Sequence, residues 1–336
     1  MNFEERLRAF AQLGHNLNAI DGPTLNSLYE RAGNQNPWFT PASINASLTG
    51  VSKLLHEDDL HQWLFSYDQQ DNKVPKIIGL ILAGNIPLVG FHDILTVLIT
   101  GNIALIKPSS KDRVLTEFIV QQLTDIEPRF RDRISFTETL KNFDAVIATG
   151  SDNTSRYFEY YFSKYPSVIR KNRTSCAIIT GNEPEQDLTA LGQDIFTYFG
   201  LGCRNVSKLF VPEGYDVKLP ISAWESYSEV AHHHKYFNNF EYQKAVMLIN
   251  KTPFIDGGFV LLTPSDKLVS PISVIYYEEY SSDEQLRDMI AGNQAKIQCT
   301  VGTHPLSNVP FGEAQFPGPA DYADGIDTIR FIADLE

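Results

Sequence analysis

KIIGLILAGNIPLVGFHDILTVLITGNIALIKPSS, residues 76–110, is the stretch that decides the fold. It opens on a β-branched apolar run and turns at Gly84-Asn85. Apolar residues at helical spacing follow up to Thr100, and a second short strand ends at Lys107. Strand, helix and strand in this order make a βαβ unit, whose strands are apolar throughout because helices cover both faces of a parallel sheet. The alternation continues outward. Residues 111–123 read as a helix, FDAVIATGSDNTSRYFEYYF (143–162) repeats strand, glycine turn and capped helix, and KNRTSCAIIT (171–180) reads as a further strand. Such a pattern predicts an α/β protein with a doubly wound sheet.

Upstream, residues 1 to about 70 have helical periodicity broken at Gly22-Pro23, at 34–37 and at Pro41, where Thr40 is placed to cap the next helix. Trp38 and Phe39, between prolines, read as a staple onto the main domain. MNFEERLRAFAQLG lacks a long apolar core and reads as an amphipathic helix, not a secretory signal. Downstream, a helix over about 187–199 begins a second lobe. SKLFVP (207–212), GGFVLLTP (257–264), SPISVIYYEEY (270–280) and IQCTVG (297–302) are its strands, and SSDEQLRDMIAGN (281–293) is a capped helix. VPFGEAQFPGPADYADGID (309–327) reads as a long surface loop. The expected division is 1–182 for the N-terminal helices with a nucleotide lobe, and 183–336 for a cysteine lobe.

With 336 residues, 43 % of them apolar, the chain can bury a full core. A formal charge of −13 and the absence of a basic run argue against binding a nucleic-acid backbone or an anionic membrane surface. A local basic pocket for one phosphorylated cofactor is compatible with both. The most apolar window, Ile77 to Ile106, carries Gly84, Asn85, Pro87, His92, Asp93 and Gly101, which a membrane span would not combine. Three cysteines without framework spacing point to free thiols in a reducing compartment, by default the cytoplasm.

Cys203, in FGLGCRNVSKLFVP (199–212), is the candidate nucleophile. Gly200 and Gly202 leave room for a carbonyl to approach its sulfur, and Arg204 can favour the thiolate. A cysteine beside glycines is, on its own, more often structural. Cys176 and Cys299 lie within apolar strand runs and read as core thiols. Asn85, at a strand-to-turn junction, can aim an amide N–H at an oxyanion or simply serve its turn. Lys107, Ser109, Ser110 and Lys111 follow a strand end, where nucleotides lie in such sheets. Gly150 and Ser151 open a helix whose exposed N–H groups suit a pyrophosphate. A GxGxxG fingerprint is absent, which counts against a conventional dehydrogenase site. His232, His233 and His234 point in different directions and have no partner ligand at metal spacing, so they are not read as a metal site.

As a set, AGNIPL (83–88), GNIALIKPSS (101–110), VIATGSDNTSR (146–156), GLGCRNVSKLFVP (200–212), SPISVIYYEEY (270–280) and VPFGEAQFPG (309–318) follow the order of the aldehyde dehydrogenase superfamily. Over residues 75–330 the chain most resembles its LuxC-type acyl-CoA reductases, the fatty-acid reductase component of bacterial bioluminescence and its relatives. The resemblance implies an aldehyde dehydrogenase-like α/β fold: two Rossmann-like lobes with parallel-rich sheets, the cofactor lobe first, after a helical N-terminal segment. It also implies Cys203 as nucleophile, Asn85 as oxyanion-hole amide, Lys107 and Ser109 on the ribose side, and Gly150 with Ser151 facing the pyrophosphate.

Three departures from the superfamily pattern matter. Arg170-Lys171-Asn172-Arg173-Thr174 stands where aldehyde dehydrogenases have Glu-Leu-Gly-Gly-Lys, so the base for a deacylating water is missing. Losing a general base slows such a step by about 10²–10⁴-fold. Reduction of an acyl thioester does not need that water. Arg170 or Arg173 is then expected either to meet CoA phosphates or to be a solvent-exposed charge. Ser110-Lys111 replaces the acid that binds ribose hydroxyls in NAD-preferring members, which predicts NADPH over NADH. Lys267 stands near the glutamate that orients the nicotinamide ribose. The expected activity is NADPH-dependent reduction of a fatty or other hydrophobic acyl-CoA to the aldehyde through a Cys203 thioester. Two alternatives stay open: a CoA-acylating aldehyde dehydrogenase using NAD, and a non-catalytic acyl-holding subunit. An acyl-activating synthetase partner and a homo-oligomer are compatible with either.

Overall fold

The structure is a computed structural model that describes residues 1–67 and 74–335. In chain order its elements are α1 (Phe3–Leu17), α2 (Gly22–Gln35), α3 (Pro41–Leu54), α4 (Glu57–Leu64), β1 (Ile77–Ile81), α5 (Phe91–Ile99), β2 (Ile103–Lys107), α6 (Arg113–Ile126), β3 (Ile134–Phe136), β4 (Ala145–Thr149), α7 (Asp152–Tyr161) and β5 (Ser167–Arg170). Then come β6 (Thr174–Ile178), α8 (Glu185–Phe196), β7 (Val206–Pro212), α9 (Lys218–Ala223), α10 (His234–Asn250), β8 (Ile255–Asp256), β9 (Leu261–Pro264), β10 (Val274–Tyr280), α11 (Asp283–Ala291), β11 (Ile297–Val301) and α12 (Thr328–Ala333). Among the described residues no helix is long and apolar enough to cross a membrane.

The first unit comprises Met1–Asn172 and the residues from Phe316 onward. Its sheet has the order β3-β2-β1-β4-β5, all parallel. The chain runs outward from β1 to β3, then returns to the other side of β1 as β4, so the order reverses between β1 and β4. Ile78, Leu80, Ala104, Ile106 and Ile147 form the buried centre, with α5 packed over them through Ile94, Leu95 and Leu98. β3 and β5 escape the sequence reading because each is short and lacks an extended apolar run. The helical prelude forms as expected: Thr40 Oγ1 accepts the Ser43 N–H at 3.2 Å, and Phe39 is buried. The C-terminal segment is held to this unit by Trp63 Nε1 donating to the Tyr322 hydroxyl and by Tyr67 donating to Asp327, both at 2.8 Å.

The second unit, Arg173–Gln315, has a sheet of order β11-β6-β7-β10-β9-β8, parallel except for the β8–β9 pair. Leu209, Val211, Val260, Leu262, Ile275 and Val301 fill its core with Ile195, Phe196 and Trp224. The expected divide at 182/183 differs from the observed one. β6 is hydrogen-bonded between β7 and β11, which carries residues 174–178 into the second unit, while the chain from Phe316 packs with the first. The stretch 309–327 is also not wholly a surface loop, because Phe311, Ala314 and Gln315 are buried.

Candidate active site

In the second unit, α8 ends at Phe196 and the chain reverses through Phe199 (φ +57°) and Gly200 (φ +81°). A Cβ on Gly200 would meet nothing within 4 Å, so glycine serves the left-handed conformation there and not a close approach. Asn205 then fixes the turn. Its Oδ1 accepts the Gly202 N–H at 2.7 Å, and its Nδ2 donates to the carbonyls of Asp194 (3.2 Å) and Ile195 (2.9 Å) at the end of α8. These bonds satisfy helix-end carbonyls and pin residues 202–205 to the helix at the same time.

Cys203, half-buried, sits in this turn just ahead of the central strand β7. Its carbonyl accepts the Ser175 hydroxyl at 3.1 Å, and the Ser175 oxygen accepts the Cys299 N–H at 3.2 Å and lies 3.0 Å from Cys299 Sγ. The other two thiols are buried, as expected. Burial pushes Cys176 up to about 12 and raises Cys299 as well, so both stay protonated. The positive charge of Arg204 opposes the rise at Cys299, so its field reaches this cluster.

Asp194 is a residue that sequence reasoning missed. Wholly buried on α8, it accepts the N–H groups of Gly312 (2.7 Å) and Ala314 (2.9 Å), and its backbone carbonyl accepts Gln315 Nε2 at 3.2 Å. This is what buries the loop around residue 312. Burial pushes its carboxyl up to about 7, against the pull of the two amides. An acid on the apolar face of LGQDIF was the available signal.

In the first unit, Asn85 is exposed on a loop held from three sides. Asn36 Nδ2 donates to the Gly84 carbonyl at 3.3 Å, Ser47 Oγ donates to the Pro87 carbonyl at 2.8 Å, and Asp112 Oδ2 accepts the Leu88 N–H at 2.8 Å. Leu88 is in the left-handed region at φ +56°. Helices α2 and α3 thus help to shape the loop after β1. Among the described residues the other oxygen of Asp112 is buried without a hydrogen-bond partner, and burial raises this carboxyl well above the usual range. A Cβ on Gly84 would lie 2.4 Å from Ser109 Oγ, so the loops after β1 and β2 touch.

Lys107 is exposed at the end of β2, and Ser110 and Lys111 are exposed after it. Ser109 Oγ accepts the Lys111 N–H at 3.2 Å. Beyond β4, Ser151 caps α7: its Oγ accepts the Thr154 N–H at 3.3 Å. A Cβ on Gly150 would come within 2.9 Å of the Phe158 ring. Because β2, β1 and β4 are neighbours, Lys107, Ser109, Ser110, Lys111, Asn85, Gly150 and Ser151 all follow the C-terminal ends of adjacent strands, at the edge where doubly wound sheets hold nucleotides. Cys203 belongs to the other unit.

One expectation is corrected. Arg170 is neither exposed nor placed for a CoA phosphate: it is buried, with Nη1 2.6 Å from both oxygens of Asp93 and Nη2 donating to Thr328 Oγ1 at 3.0 Å. Arg173 is half-buried and donates to the Ile297 carbonyl at 3.1 Å. Lys267 is exposed, and its carbonyl accepts from buried Lys208 at 3.3 Å.

Residues 16–219 match the family model of acyl-CoA reductases (LuxC). Similar curated proteins are the long-chain acyl-protein thioester reductases of Photorhabdus laumondii, 22% identical over 45% of this chain and 35% of that protein, and of Aliivibrio fischeri, 24% identical over the same shares. The match therefore spans about a third of those relatives' length. Among solved structures, aldehyde dehydrogenase 21 from Physcomitrella patens superposes with a TM-score of 0.66 at 12% identity, covering 100% of this chain and 85% of its own. An aldehyde dehydrogenase from Bacillus cereus, solved with NAD+, gives 0.62 at 13% identity, covering 90% and 72%. The fold is accordingly aldehyde dehydrogenase-like.

Proposed function

The chain belongs to the acyl-CoA reductase (LuxC) family, and from that premise we propose that it reduces an acyl thioester to the aldehyde, with Cys203 as the acyl acceptor and NADPH as the reductant. The observation that carries this reading is the Cys203 turn, preceded by Gly200 and Gly202 and pinned through Asn205 and Ser175. A nucleophile held on a rigid turn needs no reorganisation when the acyl carbonyl arrives.

In the proposed reaction the Cys203 thiolate adds to the thioester carbonyl. The carrier thiolate leaves and takes a proton, and the acyl group remains on Sγ. Asn85 takes the oxyanion role that the family resemblance gives it. Residues of the first sheet's edge suit the cofactor: Lys107 and Ser109 for the ribose, Ser110 and Lys111 for the 2′-phosphate, Gly150 and Ser151 for the pyrophosphate. The close approach of Gly84 to Ser109 leaves backbone, not side chain, at the centre of that edge. Bound there, NADPH supplies the hydride. Collapse of the resulting thiohemiacetal on Sγ frees the aldehyde and restores the thiolate, so thioester, NADPH and one proton give aldehyde, thiol and NADP⁺. Arg170, at the position of the superfamily's hydrolytic base, is locked to Asp93, which supports reduction over hydrolysis.

The two similar proteins are long-chain acyl-protein thioester reductases, which makes a protein-bound acyl group the second candidate donor beside acyl-CoA. Labelled acyl-CoA and labelled acyl-protein, given to wild type and Cys203→Ala and then chased with NADPH or NADH, separate the two. Wild type is expected to retain label and release it as aldehyde. Retention by Cys203→Ala at the wild-type level overturns the mechanism, and release as free acid overturns the role given to the missing base.

A further inference from the structure

Two locally unfavourable features of the first unit are joined by a single hydrogen bond. Asp112 stands at the N-cap position of α6, where an aspartate ordinarily accepts a backbone N–H of the first turn, yet its side chain makes no such bond. It is 2 % exposed and turned inward: Oδ2 accepts the Leu88 N–H at 2.8 Å, and Oδ1 has no hydrogen-bond partner among the described residues. The second feature is Leu88, buried and left-handed at φ +56° without being glycine.

Leu88 is the pivot between the loop after β1 and helix α5. Its carbonyl accepts the N–H of Phe91, the first residue of α5, at 3.0 Å, and Asn85 lies three residues before it. Asp112 also stands close under that loop, since a Cβ on Gly84 would lie 3.2 Å from Asp112 Cβ. Asn36 and Ser47 hold the loop by the carbonyls of residues 84 and 87, whereas Asp112 holds it by an N–H at its far end. Stability alone would favour glycine at 88 and a side chain at 112 that caps its helix. Local costs of this kind persist at functional sites, where one geometry matters more than stability.

We infer that Asp112 is a positioning residue for the reaction: through the Leu88 N–H it fixes the loop of residues 84–88 in the conformation that presents Asn85 to the oxyanion. The inference rests on the reading of Asn85 as the oxyanion-hole amide. Such a donor accelerates a reaction only when it is already aimed where charge develops. Asn85 is exposed, so its aim depends on the backbone that carries it. Misplacement by about 1 Å costs on the order of a hundredfold in rate. Burial raises the Asp112 carboxyl, so a neutral side chain of the same shape is suited to its place.

The test compares full-length Asp112→Ser, Asp112→Asn, Asn85→Ala and Asn85→Ala/Asp112→Ser with wild type. Reduction of decanoyl-CoA and of a protein-bound decanoyl thioester by NADPH gives kcat and KM, and urea unfolding gives stability. Serine is one bond too short to reach Leu88 but suits an N-cap. Asp112→Ser is therefore expected to lose little stability while kcat falls about 10–100-fold with KM nearly unchanged. Asparagine keeps an oxygen for the Leu88 N–H, and its kcat should lie within about threefold of wild type. In the Asn85→Ala background Asp112→Ser should cause no further loss, because the two act through one group. Wild-type kcat in Asp112→Ser, no recovery with asparagine, or losses that multiply in the double variant overturn the inference while Asn85→Ala alone still lowers kcat. Wild-type kcat in Asn85→Ala overturns the oxyanion reading itself and the inference with it, so the two failures have different signatures. If Asp112→Ser does not fold, Asp112→Ala removes the same bond and takes its place.

Discussion

Arg170 Nη1 lies 2.6 Å from each carboxylate oxygen of Asp93, and both side chains are almost fully buried. The pair joins the end of β5 to α5, with Thr328 as a third member. Removing one partner leaves the other charge buried and unpaired. Arg170→Ala or Asp93→Ala is expected to cost about 3–5 kcal/mol each, and the double variant clearly less than their sum. Urea unfolding of the three variants measures this, and additive losses would show that the two charges do not depend on each other.

Asn205 serves the cysteine turn with three hydrogen bonds from one side chain. Asn205→Ala removes the acceptor for the Gly202 N–H and the donor to two α8 carbonyls, all inside the protein. A loss of about 1–3 kcal/mol is expected, together with a fall of about 10–100-fold in the rate of acyl transfer to Cys203. Asn205→Asp keeps the acceptor but sets a buried carboxylate oxygen against the two α8 carbonyls, so it should lose at least as much as alanine. An alanine variant with normal acyl transfer but reduced stability would make Asn205 purely structural.

Asp194 gives a pH dependence with a definite sign. Its carboxyl stands at about 7 in the folded protein and at 3.8 as an unperturbed group, so the folded state binds the proton more tightly. The unfolded state loses its proton first as pH rises. The contribution of this group to stability is therefore full below 3.8, declines as pH climbs from 3.8 to about 7, and is level above that. Asp194→Asn does not titrate. Wild-type stability minus variant stability should then fall across that window in urea unfolding. A flat or rising difference would show that the two amide donors, from Gly312 and Ala314, keep the carboxyl ionised throughout.

How much of this was legible in the sequence depended on whether a signal was local. β1, α5, β2 and β4 announce themselves as apolar runs closed by glycine turns, and the candidate cofactor residues follow those strand ends directly. Asp194 left only the sign of an acid on the apolar face of LGQDIF and Asp112 left none, because what marks them is the company of Gly312 and Leu88, far away in sequence. Arg170 misled for the same reason: a lone arginine in RKNR reads as solvated, and only the fold sets Asp93 against it. The loop around residue 312 looked like a surface segment from its glycines and prolines, and Asp194 is what draws it inside.

Cofactor preference is the next expectation to test. Lys111 is exposed, so any attraction to a 2′-phosphate is screened by salt, and the NADPH preference should shrink as ionic strength rises. Ser110→Glu and Lys111→Glu put a negative charge where the proposed phosphate lies. Each is expected to lower the ratio of kcat/KM for NADPH to that for NADH by about 10–100-fold, since a charge-assisted contact becomes a repulsion. A ratio that does not move in either variant would place the 2′-phosphate elsewhere.

Gly84 tests the contact between the loops after β1 and β2. A Cβ there would stand 2.4 Å from Ser109 Oγ and 2.6 Å from Ser109 Cβ, closer than non-bonded atoms approach, so Gly84→Ala must push the loops apart. Overpacking of this kind costs about 1–3 kcal/mol, and displacement should weaken NADPH binding because Asn85 and Ser109 are carried on the two loops. Ser109→Gly removes both clashing atoms. The double variant should therefore regain much of the stability lost in Gly84→Ala, though not all, because Asp112 Cβ would still lie 3.2 Å away. A double-mutant cycle on urea unfolding reads the coupling directly. If the double variant is no more stable than Gly84→Ala, then it is the Asp112 side, where the Leu88 N–H is held, that sets the tightness of this contact.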